Sequence, residues 1–288
     1  MIQFPHLAER VFNTPVAIMP EKAMAILSGL SGRFGISEIL DAEGNNFPLS
    51  AQIASQVRAE NGEVGYAVEE GIAIIPVSGT LVHKNGWLRP FSGMTGYDGI
   101  RHNLTSAIAD PKVKGIAFDI DSGGGEVAGC FDLCNMIYDA RGEKPMMAIL
   151  SECAYSAAYA IASSCDIVAV PRTGGTGSVG IIAVHVDYSE RLENEGVKVT
   201  MVHYGARKID GNEASPLSKE GLEKLQQQVN NAGEMFVDLV ARNRGMTKKA
   251  VRGTEAACFF GKDGVEVGFA DEVCAPNEAF QALVEHIR

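Results

Sequence analysis

From Gly71 onward the chain alternates short apolar runs with longer amphipathic stretches. Gly71-Ile-Ala-Ile-Ile-Pro-Val77, Gly115-Ile-Ala-Phe-Asp-Ile120, Met146 to Leu150, Asp166 to Val170 and Val197 to Tyr204 each have the length and content of a buried strand. Between them, Ile100 to Ala109, Val127 to Arg141 and Ser156 to Ser164 read as helices. Strand and helix in turn predict β-α units around a mostly parallel sheet. Ser218 to Arg244 is the clearest helix. Leu222, Leu225, Val229, Ala232, Phe236 and Leu239 recur at spacings of three and four and form one apolar stripe. Ser218 suits its N-cap and Gly245 its C-terminal stop. The stripe fits packing on the chain's own core, and it fits a face shared with a neighbouring subunit. Before Gly71 the pattern is different. Pro20 to Leu30 reads as a short helix stopped near Gly32, and Asp41 to Glu63 is polar and rich in turn formers. Residues 1–65 are therefore expected to be an N-terminal extension and linker, and residues 66–288 the main domain.

Composition narrows the function classes. The 288 residues are 46% hydrophobic and 21% charged, enough to bury a sizeable core. The net charge of −11 argues against nucleic acid as a partner, because phosphate-backbone affinity comes from clustered Lys and Arg. Six cysteines sit mostly among apolar or small residues and read as reduced thiols, without a second Cys or His pair to complete a zinc set. Met1 to Arg10 lacks the basic start and apolar stretch of a signal peptide, and no apolar run is long enough for a transmembrane helix. A cytoplasmic protein with no membrane partner and no cofactor is expected.

Three turns carry candidate chemistry. In Asp121-Ser-Gly-Gly-Gly-Glu-Val127, three glycines directly after a strand let backbone N–H groups face a ligand. Such a turn can stabilise an oxyanion, and it can equally be a packing turn. In Cys153-Ala-Tyr-Ser156-Ala-Ala-Tyr-Ala160, a serine stands at the mouth of a helix of small residues, which suits an exposed nucleophile or an ordinary N-cap. In Tyr204-Gly-Ala-Arg-Lys208-Ile-Asp-Gly-Asn, a lysine follows a strand in a Gly-containing turn. A surface lysine is the plain reading. Desolvation would let it act as a general base for a serine. Between serine and lysine lies the glycine-rich loop Thr173-Gly-Gly-Thr-Gly-Ser178-Val-Gly180, whose Ser178 could hold the lysine or serve only the turn.

Taken in order, these pieces resemble the SppA-like serine peptidases. The matching motifs are Val77-Ser78-Gly79-Thr80, Ser122-Gly123-Gly124-Gly125, Ser156, Thr176-Gly177-Ser178-Val179-Gly180 and Lys208-Ile209-Asp210-Gly211. The closing stretch Phe260 to Glu272 matches as well. Within that group, Pro76 to Val82, Ser92 to Ile100, Lys208 to Asn212, Phe12-Asn-Thr-Pro15 and Leu30 to Gly35 are similar to the head-maturation (capsid assembly) proteases of lambda-like tailed phages. The resemblance implies a ClpP/crotonase-like α/β fold of repeated β-β-α units and a Ser156–Lys208 dyad. It implies an oxyanion hole from the N–H groups of Gly124 and Ala157, with Ser178 orienting the lysine. An extended polypeptide substrate would add a strand along Gly123, Gly125 and Glu126. It further implies a ring-shaped homo-oligomer, scaffold or other capsid-associated proteins as substrates, and a location in the host cytoplasm or procapsid interior. The chain ends soon after the match, so no fused scaffold segment is expected. Two departures stand out: Gly123 replaces the family's usual proline, and Ala157-Ala158 replace Gly-Gly or Ala-Gly. Rival readings use His185 as a ClpP-like base, hold a thioester in a crotonase-like site, or keep the fold as a non-catalytic assembly module.

Overall fold

The computed structural model describes residues 12–20, 22, 23, 26, 65–84 and 93–288. In chain order the elements begin with β1 (Val16–Ile18), β2 (Ala67–Glu69), β3 (Ile72–Ser78), β4 (Thr80–Val82), β5 (Met94–Gly96) and α1 (Tyr97–Ala109). The middle holds β6 (Gly115–Ser122), β7 (Gly124–Glu126), α2 (Cys130–Asp139), β8 (Met146–Tyr155), α3 (Ala157–Ser163), β9 (Ile167–Val170) and β10 (Gly175–Gly177). Next come α4 (Ser189–Asn194) and a 3-10 turn (Ala206–Ile209), then α5 (Lys219–Arg244), α6 (Lys248–Arg252), β11 (Cys258–Phe260), α7 (Gly261–Glu266), β12 (Glu272–Val273) and α8 (Pro276–Ile287).

Strands β3, β6, β8 and β9 run parallel in one sheet, and β2 and β11 close its edges antiparallel. Successive residues point to opposite faces, and the buried residues sort accordingly. Ala73, Ile75, Val77, Ile116, Phe118, Ile120, Met146, Ala148 and Leu150 face one core, shared with α1, α2, α3 and the second half of α5. Ile72, Ala117, Met147 and Ile149 face the other, closed by Ala279, Leu283 and Val284 of α8. The predicted α/β architecture with a mostly parallel sheet is what forms. A second small sheet, ordered β1-β7-β4-β5, stands beside the first.

Helix α5 is capped as its sequence directs: Ser218 Oγ accepts from Gly221 N–H at 3.0 Å, and Gly245 takes the left-handed φ of 64°. Its stripe packs on the core over its second half only. Ala232, Phe236 and Leu239 are buried on the core, while Leu222 at the other end is 54% exposed.

One predicted strand does not form. Val197 to Tyr204 carries no regular secondary structure, and Val202 and Tyr204 are 96% and 100% exposed. The alternation is present in the sequence, but a strand exists by pairing, and no described strand of this chain lies beside it. The predicted helix from Pro20 is helical at its described positions, with Ala23 N–H donating to the Met19 carbonyl at 2.9 Å. The remainder of that helix and the Asp41–Glu63 linker lie outside the described residues.

Candidate active site

Ser156 sits where β8 turns into α3, with φ 55° and ψ −120°. A non-glycine residue held there costs about 1–3 kcal/mol of strain, which the surroundings must impose. They do so from both sides. Ser156 N–H donates to the Gly177 carbonyl at 2.8 Å, and β10 lies parallel to the end of β8. Downstream, α3 is fully buried, with small residues at all positions but Tyr159 and Ile161, and is fastened at its far end. The Arg141 guanidinium donates to the carbonyls of Ser163 and Ser164, each at 2.9 Å, and to that of Cys165. Asn243 Nδ2 bonds the hydroxyls of Ser163 and Ser164, and the Tyr159 hydroxyl donates to the Phe269 carbonyl at 3.0 Å.

The N-cap reading of Ser156 does not hold. It occupies the cap position, but its side chain accepts no N–H of the helix. Its Oγ instead donates to the Gly180 carbonyl at 3.4 Å. Ala157, as the first helical residue, has no intrahelical acceptor for its N–H.

The glycine turn meets this serine. A Cβ placed on Gly124 would lie 3.0 Å from Ser156 Cβ and 3.1 Å from the Ala157 nitrogen. Gly124 has φ +99°, a conformation that glycine alone takes readily. Its N–H donates to Ser122 Oγ at 3.1 Å, and Ser122 Oγ donates to the Gly79 carbonyl at 2.7 Å. Of the two expected oxyanion donors, the Ala157 N–H has no acceptor among the described residues and Gly124 is held by Ser122. Gly125 lies flat against β4: a Cβ there would stand 1.8 Å from the Leu81 carbonyl oxygen. The carboxylate of Glu126 accepts from His83 N–H at 2.7 Å, and its carbonyl accepts the buried Tyr97 hydroxyl at 2.7 Å. Gly123 to Glu126 is therefore held against β4 and Tyr97, with Gly124 packed on the serine.

The candidate bases are not brought to Ser156. Lys208 lies exposed in the 3-10 turn Ala206–Ile209, and among the described residues its ammonium makes no hydrogen bond or ion pair. Ser178 is buried with φ 54°. Its backbone flanks the site, donating to the Ala257 carbonyl and accepting Gly180 N–H at 2.9 Å each, but its hydroxyl reaches neither Ser156 nor Lys208. His185 turns its Nδ1 to Asn13 Oδ1 at 2.7 Å, and its buried Nε2 has no partner among the described residues. Among the described residues, Ser156 meets the glycine turn, and neither Lys208 nor His185 bonds to it.

Two side chains beside the glycine turn add to the site. Cys153 Sγ lies 3.6 Å from Asp121 Oδ1, and burial, followed by the Asp121 carboxylate, pushes its thiol up to about 12, so it stays protonated at neutral pH and does not rival the serine. Lys22 donates to the Gly79 carbonyl at 3.1 Å and lies over Gly123. A lone lysine in an extension carries no signal of its own. No described group of three His, Cys, Asp or Glu side chains could hold a metal ion, and all six cysteines are free thiols.

The model of peptidase family S49 matches residues 139–287, the stretch that carries Ser156, Ser178 and Lys208. The chain belongs to peptidase family S49. Among its relatives, the head-tail preconnector protein GP5 of Enterobacteria phage P21 is 39% identical over 286 residues, covering 96% of this chain and 56% of that protein. The capsid assembly protease C of Escherichia phage lambda is 37% identical over 286 residues, covering 97% of this chain and 65% of that protein. Protease 4 of Haemophilus influenzae is 25% identical over 222 residues, 74% of this chain and 34% of that protein. The chain spans less than two thirds of the length of each. Among solved structures, a ClpP1 variant from Listeria monocytogenes is similar with a TM-score of 0.44 at 10% identity, covering 70% of this chain and 90% of that one. The S49 match begins within α2, so the glycine turn and the β1 contacts lie upstream of it.

Proposed function

We propose that this S49 chain is a serine endopeptidase in which Ser156 is the nucleophile and Lys208 the general base. The observation that carries the reading is the backbone of Ser156. A serine held at positive φ, at the N-cap without capping the helix, and beside the Ala157 N–H and the Gly124 turn is built to present its hydroxyl to a carbonyl. Neutral Lys208 takes the Ser156 Oγ proton as Oγ attacks the peptide carbonyl carbon. The resulting oxyanion is met by the N–H groups of Ala157 and Gly124, the latter once Ser122 gives it up. Collapse of the intermediate breaks the peptide C–N bond, and the departing amine takes the proton from Lys208. Water, deprotonated by Lys208, then releases the acyl group and restores Ser156. Ser178 orients the lysine, and the substrate lies extended along Gly123, Gly125 and Glu126.

The exposed Val197–Tyr204 segment supports a homo-oligomer, in which pairing with a second copy would order it and bring the adjacent Lys208 to a serine. The phage relatives support head maturation as the setting, with scaffold or other capsid-associated proteins as substrates and the host cytoplasm or procapsid interior as the place. Residues 66–288 would form the peptidase unit.

The test is proteolysis of casein by the wild-type chain, Ser156→Ala and Lys208→Ala, read by gel and intact mass, with native mass spectrometry for assembly. Cutting by the wild type alone, with both variants folded and equally assembled, is expected. Cutting by Lys208→Ala at the wild-type rate would remove Lys208 as base and leave His185 as the candidate.

A further inference from the structure

A segment of the chain itself lies along the strand edge beside Ser156. β1 runs antiparallel to β7, with Val16 opposite Glu126, Ala17 opposite Gly125 and Ile18 opposite Gly124. On its other side it pairs with the stretch that leaves the glycine-rich loop. Val16 N–H donates to the Ile182 carbonyl at 2.8 Å, and Ile182 N–H donates back at 3.0 Å. Asn13 N–H donates to the Val184 carbonyl at 2.6 Å, and Met19 N–H to the Gly123 carbonyl at 2.9 Å. The segment is hydrogen-bonded along both edges, as a peptide is when it enters a cleft between two strands.

Its register is aimed at the reacting groups. The Ala17 carbonyl oxygen lies 2.2 Å from where a Gly124 Cβ would be, the same point that stands 3.0 Å from Ser156 Cβ and 3.1 Å from the Ala157 nitrogen. Period-two alternation puts Ala17, fully buried, on the inner face. Val16 and Ile18 turn the other way and form a small cluster with Ala23, against which Ile26 and Ile182 pack. Lys22 then fixes the end of the segment through the Gly79 carbonyl and packs on Gly123, where a Cβ would meet its Cδ at 2.8 Å. The glycine at position 123 is what leaves room for it. At the other end, Asn13 Nδ2 donates to the Gly211 carbonyl at 3.0 Å, and its Oδ1 faces His185.

We propose that residues 12–19 are a built-in substrate mimic: they fill the peptide cleft, keep it closed to other chains, and display the peptide it accepts. That peptide is extended, with a small residue at the Ala17 position and branched aliphatic residues on either side. The inference rests on the peptidase reading for its effect on activity, and on the cleft alone for binding.

The test separates the two. Val16→Pro removes the N–H that pairs with Ile182, and Ile18→Asp puts a carboxylate into the Val16–Ala23 cluster. Either change in the full chain is expected to raise the initial rate of casein cleavage about tenfold, as freeing an occupied site does. Independently, a fluorescein-labelled peptide Phe-Asn-Thr-Pro-Val-Ala-Ile-Met is titrated against Ser156→Ala/Val16→Pro and against Ser156→Ala, with anisotropy as readout. Binding to the former at least about tenfold tighter than to the latter, and weakened when the peptide carries Trp for Ala17, is expected. Tighter binding without any proteolysis would sink the peptidase reading and leave the cleft inference standing. If both variants stay folded by circular dichroism, cut no faster and bind the peptide no better, β1 is a permanent strand and the proposal fails.

Discussion

Gly124→Ala probes the contact on which the site depends. Two costs are worked from the structure. The first is conformational: φ +99° at this position costs a residue with a Cβ about 1–3 kcal/mol. The second is a collision, since the new methyl would lie 2.2 Å from the Ala17 carbonyl oxygen and 3.0 Å from Ser156 Cβ. Relief requires β1 to move, which weakens two or more backbone hydrogen bonds worth about 0.5–1.5 kcal/mol each. Gly142→Ala is the control, because Gly142 has φ +87° and nothing within 4 Å of its would-be Cβ. It carries the conformational cost alone. At roughly 2–4 °C per kcal/mol for a domain of this size, Gly142→Ala should lower Tm by about 2–12 °C and Gly124→Ala by about twice as much. Casein cleavage should be unchanged in the first and reduced roughly 100-fold in the second, as for a displaced oxyanion donor. Thermal unfolding and a rate assay on both variants decide it. Equal Tm losses and equal rates would mean that Gly124 is not packed between β1 and Ser156, and the site geometry argued above would be wrong.

Three further outcomes are expected. Tyr97→Phe leaves the Glu126 carbonyl without its 2.7 Å donor and should cost about 1–3 kcal/mol in urea unfolding, with the m-value unchanged. Arg141→Lys replaces a planar fork, whose Nε and Nη2 reach three carbonyls at the end of α3 from separate positions, with a single point donor, and it gives up the stacking of the guanidinium on the Tyr138 ring, 4.5 Å from its centroid; a lower Tm and slower casein cleavage, through a loosened Ser156, should appear together. For Asp271, burial alone would raise the carboxyl, but the two bonds from Arg244 at 2.9 and 2.8 Å and Val168 N–H at 2.7 Å hold it below its ordinary 3.8. A folded-state value below the unfolded one gives stability that is present above pH 3.8 and lost as pH falls through the lowered value. Asp271→Asn should therefore be less stable than wild type at neutral pH and lose less on acidification, as a Tm series toward low pH would record.

The amino-acid sequence by itself determined the strands and helices whose partners lie within one chain. The continuous apolar runs at Ile72, Gly115 and Met146 bury both faces and become the central parallel strands, and Ser218 and Gly245 bound α5 because cap chemistry is local. Motif order sufficed to place the chain in its family and to mark Ser156 and the Gly123–Gly125 turn, since a strand-to-helix turn with small residues constrains only its own backbone. Long-range contacts were decided in three dimensions. That Ser156 abandons its cap for the Gly180 carbonyl depends on a loop more than twenty residues away. The equally strand-like Val197–Tyr204 stayed unpaired, and Lys208 stayed in solvent, because pattern specifies a face and not the partner that covers it. Conversely Val16-Ala-Ile18, too short to read as a strand, became one because two edges beside Ser156 were waiting for its backbone. Hydrogen-bonded pairing is a property of two segments, and only the tertiary structure says which two meet.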